Sequence, residues 1–137
     1  MLIDNGNKRY NTESKLIYSC QYHVIFTTKY RRKVLINGVD LRLKQLIIEK
    51  SNELEFKIVD MEIMPDHVHL LIDSNPRIGI YNQVNGIKGY SSHVLRSEFS
   101  WLKKRIPTLW TRGKFISSVG TVSLEVVKKY IESQKNV

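Results

Sequence analysis

Two histidines two residues apart are the first place in this chain where chemistry is possible. His67 and His69 stand in the run Pro65, Asp66, His67, Val68, His69, Leu70, Leu71. On a β-strand alternate side chains share a face, so the imidazoles point one way and Val68 and Leu70 the other. With the apolar set against a core, the histidines take the open side, where neutral imidazoles can converge on one metal ion. A second group lies near the C-terminus. Tyr130 and Gln134 are four apart and stack on one face of a helix. A tyrosine hydroxyl can act as a covalent nucleophile. A glutamine carbonyl is a hard oxygen ligand suited to Mg²⁺ or Mn²⁺. If Gln134 joins the histidines on a metal, Tyr130 is carried within reach of whatever the metal polarises. Each feature also has an ordinary alternative: a surface pair of strand histidines, and an amphipathic terminal helix with a tyrosine at its edge.

These groups need elements to position them. Residues 1–14 are polar and aperiodic and are expected to form a flexible N-terminal arm, leaving 15–137 as a single domain. From 16 to 28 apolar residues alternate, with Tyr22, Val24 and Phe26 on one face and His23 on the other, which predicts a strand. Residues 39–54 carry Val39, Leu43, Leu46, Ile47 and Leu54 at helical spacing after Asn37 and Gly38. Two alternating segments, 56–63 and 67–73, joined through Met64, Pro65 and Asp66, read as a hairpin-like pair. A helix over about 79–97 follows, despite Gly86 and Gly89, and the basic run Lys103, Lys104, Arg105 stops at Pro107. Residues 115–119 predict a fourth strand. Gly120 then separates it from a last helix, 123 to about 134, with Ser123 as N-cap. The order is βαββαβ plus one helix. That is an α+β, ferredoxin-like or RRM-like antiparallel sheet backed by two helices, with its other face open for a ligand, a partner or the final helix.

Charge narrows the ligand. Twenty-two Lys and Arg against 13 Asp and Glu give a net charge of +9, which suits a polyanion such as nucleic acid. Lys29, Arg31, Arg32 and Lys33 after the first strand, and Lys88 and Arg96 on the second long helix, are candidate backbone contacts, or else a solvated basic face. Tyr30, Trp101 and Trp110 offer stacking surfaces for unpaired bases, or packing. Strand parity puts His23 on the histidine face, and His93 reads as structural or surface. A lone Cys20 leaves no internal disulfide and no zinc-finger framework. No apolar run nears the ~20 residues of a membrane span, and the N-terminus lacks a leader pattern. The expected location is cytoplasmic.

Several longer segments resemble the HUH single-tyrosine transposases of the smallest bacterial insertion sequences. They are the runs from Tyr18 to Phe26, Lys29 to Leu35, Met61 to Leu71, Pro107 to Trp110, and Lys129 to Gln134, so the resemblance extends from about Tyr18 to Gln134. The resemblance implies that His67 and His69 are metal ligands, Gln134 the third protein ligand and Tyr130 the nucleophile. It further implies a homodimer acting on single-stranded DNA, hairpins recognised near each end of an element, and a 5′-phosphotyrosine opposite a free 3′-OH. Gly120, between the fourth strand and the tyrosine helix, is the expected hinge, allowing active sites shared in trans. The competing readings are a non-catalytic RRM-like nucleic-acid-binding module, a metal-dependent hydrolase that uses water, and a related enzyme acting on host repeat sequences.

Overall fold

A computed structural model describes residues 2–5, 8–13, 16–119 and 124–137. The expected hinge at Gly120 and the N-cap at Ser123 lie outside the described residues. The first three strands, β1 (Leu2–Asn5), β2 (Lys8–Glu13) and β3 (Leu16–Tyr18), pair antiparallel in the order β1-β2-β3. Here the structure differs from the arm expected over 1–14. Those strands gave no signal because their polar residues do not alternate about an apolar face. Side chains tie this small sheet to the main one: Asn11 donates to Asp73 at 2.8 Å and Asn75 donates to Glu13 at 2.7 Å. The strand expected over 16–28 is also split, since the extended pairing breaks at Ser19 and Cys20.

The main sheet is built from β4 (Gln21–Thr27), β5 (Phe56–Met64), β6 (His67–Ser74) and β7 (Phe115–Ser118), in the order β5-β6-β4-β7 with every pair antiparallel. Between them run a 3-10 turn at Lys29–Arg31, α1 (Val39–Glu53), α2 (Ile80–Glu98) and the short α3 (Trp101–Arg105), and α4 (Leu124–Ser133) closes the chain. This is the predicted βαββαβ layout with an added helix. Alternation decides the faces. Val24 and Phe26 of β4 and Val68, Leu70 and Ile72 of β6 are fully buried against Leu43, Leu46 and Ile47 of α1 and Val84, Ile87 and Leu95 of α2.

Two local features hold this layer in place. Asn37 and Gly38 both take positive φ, 55° and 95°, and turn the chain into α1; glycine adopts this region without strain. Gly86 sits where α2 passes Leu54, since a Cβ there would lie 2.4 Å from Leu54 Cδ1. Phe26 anchors the core, with its ring edge-on to Trp110 at 4.7 Å between centroids. Phe26→Ala should therefore lower unfolding free energy by about 3–5 kcal/mol, read from urea denaturation. Among the described residues no helix is long and apolar enough to cross a membrane.

Candidate active site

The sheet face turned away from α1 and α2 carries the candidate groups in register. Glu62 of β5, His69 of β6, Ile25 of β4 and Phe115 of β7 form one cross-strand row; Met64, His67 and Thr27 form the next. His67 and His69 therefore share a face, as alternation requires. The two-residue turn at Pro65 and Asp66 aims the first of them. It is anchored by Thr28 N–H and Leu35 N–H, which donate to the Asp66 and Pro65 carbonyls, each at 3.0 Å.

Asp66 is the residue that sequence reasoning quoted without giving it a role. Its Oδ1 lies 2.7 Å from His67 Nδ1, and its Oδ2 accepts from Arg31 Nε at 3.0 Å and Nη2 at 2.9 Å. Desolvation would raise the Asp66 carboxyl, but the bonds from His67 and Arg31 outweigh it and hold the group below the usual carboxylate range. A carboxylate on one ring nitrogen fixes the imidazole and turns the other nitrogen outward, the usual support behind a metal-ligating histidine. His69 has a different neighbour: its Nε2 lies 3.1 Å from His23 Nδ1, confirming His23 on this face. Burial, and next the closeness of His23, push the His69 imidazole down, so it is neutral at pH 7.

The helix α4 packs over this face. A cavity of about 480 Å³ separates it from β5 and β6, lined by Glu62, Met64, His67 and His69 below and Val127, Lys128, Ile131 and Glu132 above. Tyr130 on a neighbouring face of the helix, and Gln134 in the turn just past its end at Ser133, do not line that cavity. The Tyr130 ring lies 5.0 Å from that of Phe115 on β7. Strand β7 is two places from β6, about 9–10 Å at ordinary strand spacing. A Cβ at Gly113 would lie 3.6 Å from Gln134 Oε1 and 3.7 Å from the Tyr130 hydroxyl. The structure thus brings Tyr130 to Gln134, and His67 to His69, as two neighbouring halves of one face. Tyr130 Oη and Gln134 Oε1 are both buried with no hydrogen-bond partner among the described residues. Burial pushes the Tyr130 phenol up.

Among the described residues no three of His, Cys, Asp and Glu gather as a metal site, so a metal held by both histidines would draw any third protein ligand from another residue type. Gln134 fits that need by chemistry. Its amide oxygen is buried and unsatisfied, and an imidazole pair with an oxygen donor suits a first-row or hard divalent ion.

The candidate nucleic-acid contacts divide. Arg32, Lys33 and Tyr30 are exposed, Tyr30 at 47%, and the Lys29 ammonium lies 5.0 Å from the Tyr30 ring centroid. Three others are engaged inside the protein instead of standing free. Arg31 holds Asp66 and reaches Glu132 of α4 at 3.6 Å. Lys88 donates to the Thr111 and Gly113 carbonyls at 2.7 and 3.0 Å, and Arg96 donates to the Ile106 carbonyl at 3.0 Å. Trp110 is core, with its indole N–H on Ser91 Oγ at 3.0 Å, while Trp101 is half-buried and His93 exposed.

Comparison with known proteins gives a consistent result. The family described as "Transposase IS200 like" matches residues 16–134. The ISDra2 transposase TnpA of Deinococcus radiodurans is 33% identical over 120 residues, 86% of each chain. The transposase for insertion sequence element IS200 of Salmonella typhimurium is 31% identical, over 85% of this chain and 78% of its own. A crystal structure of a candidate transposase from Deinococcus radiodurans R1 superposes with a TM-score of 0.84 at 30% identity, covering 93% of this chain and 99% of that one. A REP-associated tyrosine transposase bound to a REP hairpin shares the fold, with a TM-score of 0.58 at 13% identity over 89% of this chain and 68% of that one.

Proposed function

The chain belongs to the family of IS200-like transposases, and from that premise we propose that it cuts and rejoins single-stranded DNA beside a hairpin with Tyr130 as nucleophile. One observation carries the reading: the hydroxyl of Tyr130 on α4 and the Oε1 of Gln134, just past its end, lie buried and without a partner among the described residues, over the sheet face that presents His67 and His69. Buried polar atoms cost stability when unpaired, so two of them on adjacent turns are best explained by a function.

The step conserves bonds. The Tyr130 oxygen attacks phosphorus, the P–O3′ bond breaks, and the tyrosine proton is balanced by one taken up on the departing 3′-oxygen. The product is a 5′-phosphotyrosine and a free 3′-OH. A second DNA 3′-OH reverses the exchange, so joining needs no nucleotide cofactor. The raised phenol keeps Tyr130 protonated at rest, which makes removal of its proton part of the reaction. His67, His69 and Gln134 would hold Mg²⁺ or Mn²⁺, whose charge would polarise the non-bridging phosphate oxygens. Asp66 and Arg31 fix the His67 ring for that task. The basic surface at Lys29, Arg32 and Lys33, beside Tyr30, is the proposed contact to the hairpin backbone. The hairpin held by the REP-associated relative lends support to the substrate class. The working unit is proposed to be a homodimer.

The test is substrate form. A single-stranded oligonucleotide bearing an element-end hairpin should give a covalent protein–DNA band on a denaturing gel, and the same sequence as perfect duplex should give none. Equal bands, or none with either, would reject the reading. Binding should also weaken steeply as salt rises, because a chain of charge +9 gains affinity by releasing counterions.

A further inference from the structure

Lys88 was a candidate phosphate contact, yet its ammonium is directed inward. It leaves the middle of α2 and meets three backbone carbonyls in succession: Thr111 at 2.7 Å, Gly113 at 3.0 Å and Arg112 at 3.4 Å. An ammonium has three donors and no acceptor, so a bend of chain that offers three carbonyls matches it fully. That bend forms a wall of the candidate site. A Cβ added at Gly113 would stand in van der Waals contact with both the Tyr130 hydroxyl and Gln134 Oε1, and two residues on, Phe115 packs on the Tyr130 ring. Among the described residues neither polar atom has a hydrogen bond of its own to locate it, which leaves packing against this wall to set their position.

We infer that Lys88 is a positioning residue, clamping the 111–113 segment so that Gly113 and Phe115 seat Tyr130 of the tyrosine helix and Gln134 just past its end. The inference rests on Tyr130 as the nucleophile of the proposed function. The clamp has a chemical cost. Burial, and next the charge of Lys114, push the Lys88 amine down to about 8. Lys29 and Arg112 line with Lys88 a second cavity, of about 490 Å³ and separate from the histidine cavity, and among the described residues no carboxylate lines it. A neutral amine keeps only two donors, so the third carbonyl is released when Lys88 loses its proton.

The first arm of the test needs no DNA. In protein labelled at the tyrosine ζ-carbon, the Tyr130 signal (assigned by its loss in Tyr130→Phe) should shift in step with the Lys88 ε-methylene signal as pH passes about 8. Lys88→Met should displace the Tyr130 signal and abolish that step; Lys88→Arg, charged throughout, should abolish the step and stay nearer the wild-type position. The second arm uses single-turnover cleavage at saturating single-stranded hairpin DNA. Lys88→Met should be at least tenfold slower with unchanged Kd and salt dependence, and Lys88→Arg should recover part of the rate. A Tyr130 signal indifferent to Lys88 titration in the wild-type protein overturns the clamp, whether or not the variants fold. So does a Lys88→Met protein that loses affinity and salt dependence but keeps its saturated rate, the behaviour of a phosphate contact. A wild-type protein that forms no covalent adduct rejects the nucleophile instead, while the first arm still decides whether Lys88 sets the position of Tyr130.

Discussion

Replacing His67 or His69 with alanine is expected to reduce single-strand cleavage more than roughly 100-fold, while hairpin binding changes little. The size follows from what each ring does. Loss of a group that merely orients a metal-ligating histidine costs about 10–100-fold in metal affinity or activity, so loss of the imidazole itself should exceed that. The two rings differ in their supports. His67 is backed by the Asp66 carboxylate at 2.7 Å, and Asp66 is itself held by Arg31. His69 is neutral, with His23 at 3.1 Å. Neither ring is part of the exposed basic patch around Arg32 and Lys33, which is why affinity should survive. Excess EDTA should reproduce the defect in the wild-type protein, and titration with Mn²⁺ should show binding that the double variant lacks. Full cleavage in EDTA, or by the double variant, would remove the metal from the account.

The sheet was legible because burial imposes a period of two. Val24, Phe26, Val68, Leu70 and Ile72 alternate cleanly, and that set alone put His67 and His69 on the opposite face. The helices α1 and α2 were legible for the matching reason, an apolar stripe at helical spacing. Strands β1 and β2 were not, since polar residues that pair through backbone hydrogen bonds leave no periodic trace. The cations were the least legible group in the sequence. Nothing in the residue type distinguishes Arg31, Lys88 and Arg96, which bond inside the protein, from Arg32 and Lys33, which remain exposed. The difference lies in which carbonyl or carboxylate the fold brings near each one: Asp66 for Arg31, the 111–113 bend for Lys88, Ile106 for Arg96. Nor does spacing reveal the row of His69, Ile25 and Phe115, because it depends on pairing between strands far apart in the chain. Asp66 had a signal that could have been used, its place directly before the first histidine in a tight turn.

That row also frames the other large effect. Within one chain, α4 turns Val127, Lys128, Ile131 and Glu132 toward the histidine cavity, and Tyr130 lies over β7, two strands from β6. The tyrosine that meets a given pair of histidines can come from α4 of the same chain or from a tyrosine helix supplied by a second copy. A two-fold dimer that exchanges these helices would build two composite sites, and we favour that arrangement. Mixing distinguishes the two. A Tyr130→Phe subunit and a His67→Ala/His69→Ala subunit are each inactive alone. After exchange at equal concentrations, half the dimers are mixed. If sites form in trans, one of the two sites in each mixed dimer combines intact histidines with an intact tyrosine, and cleavage should return to roughly a quarter of the wild-type level. If sites form in cis, each site in the mixed dimer still lacks one partner, and cleavage stays at background. Background activity with mixed dimers demonstrated by mass would reject the shared site and leave Tyr130 acting on its own chain's histidines.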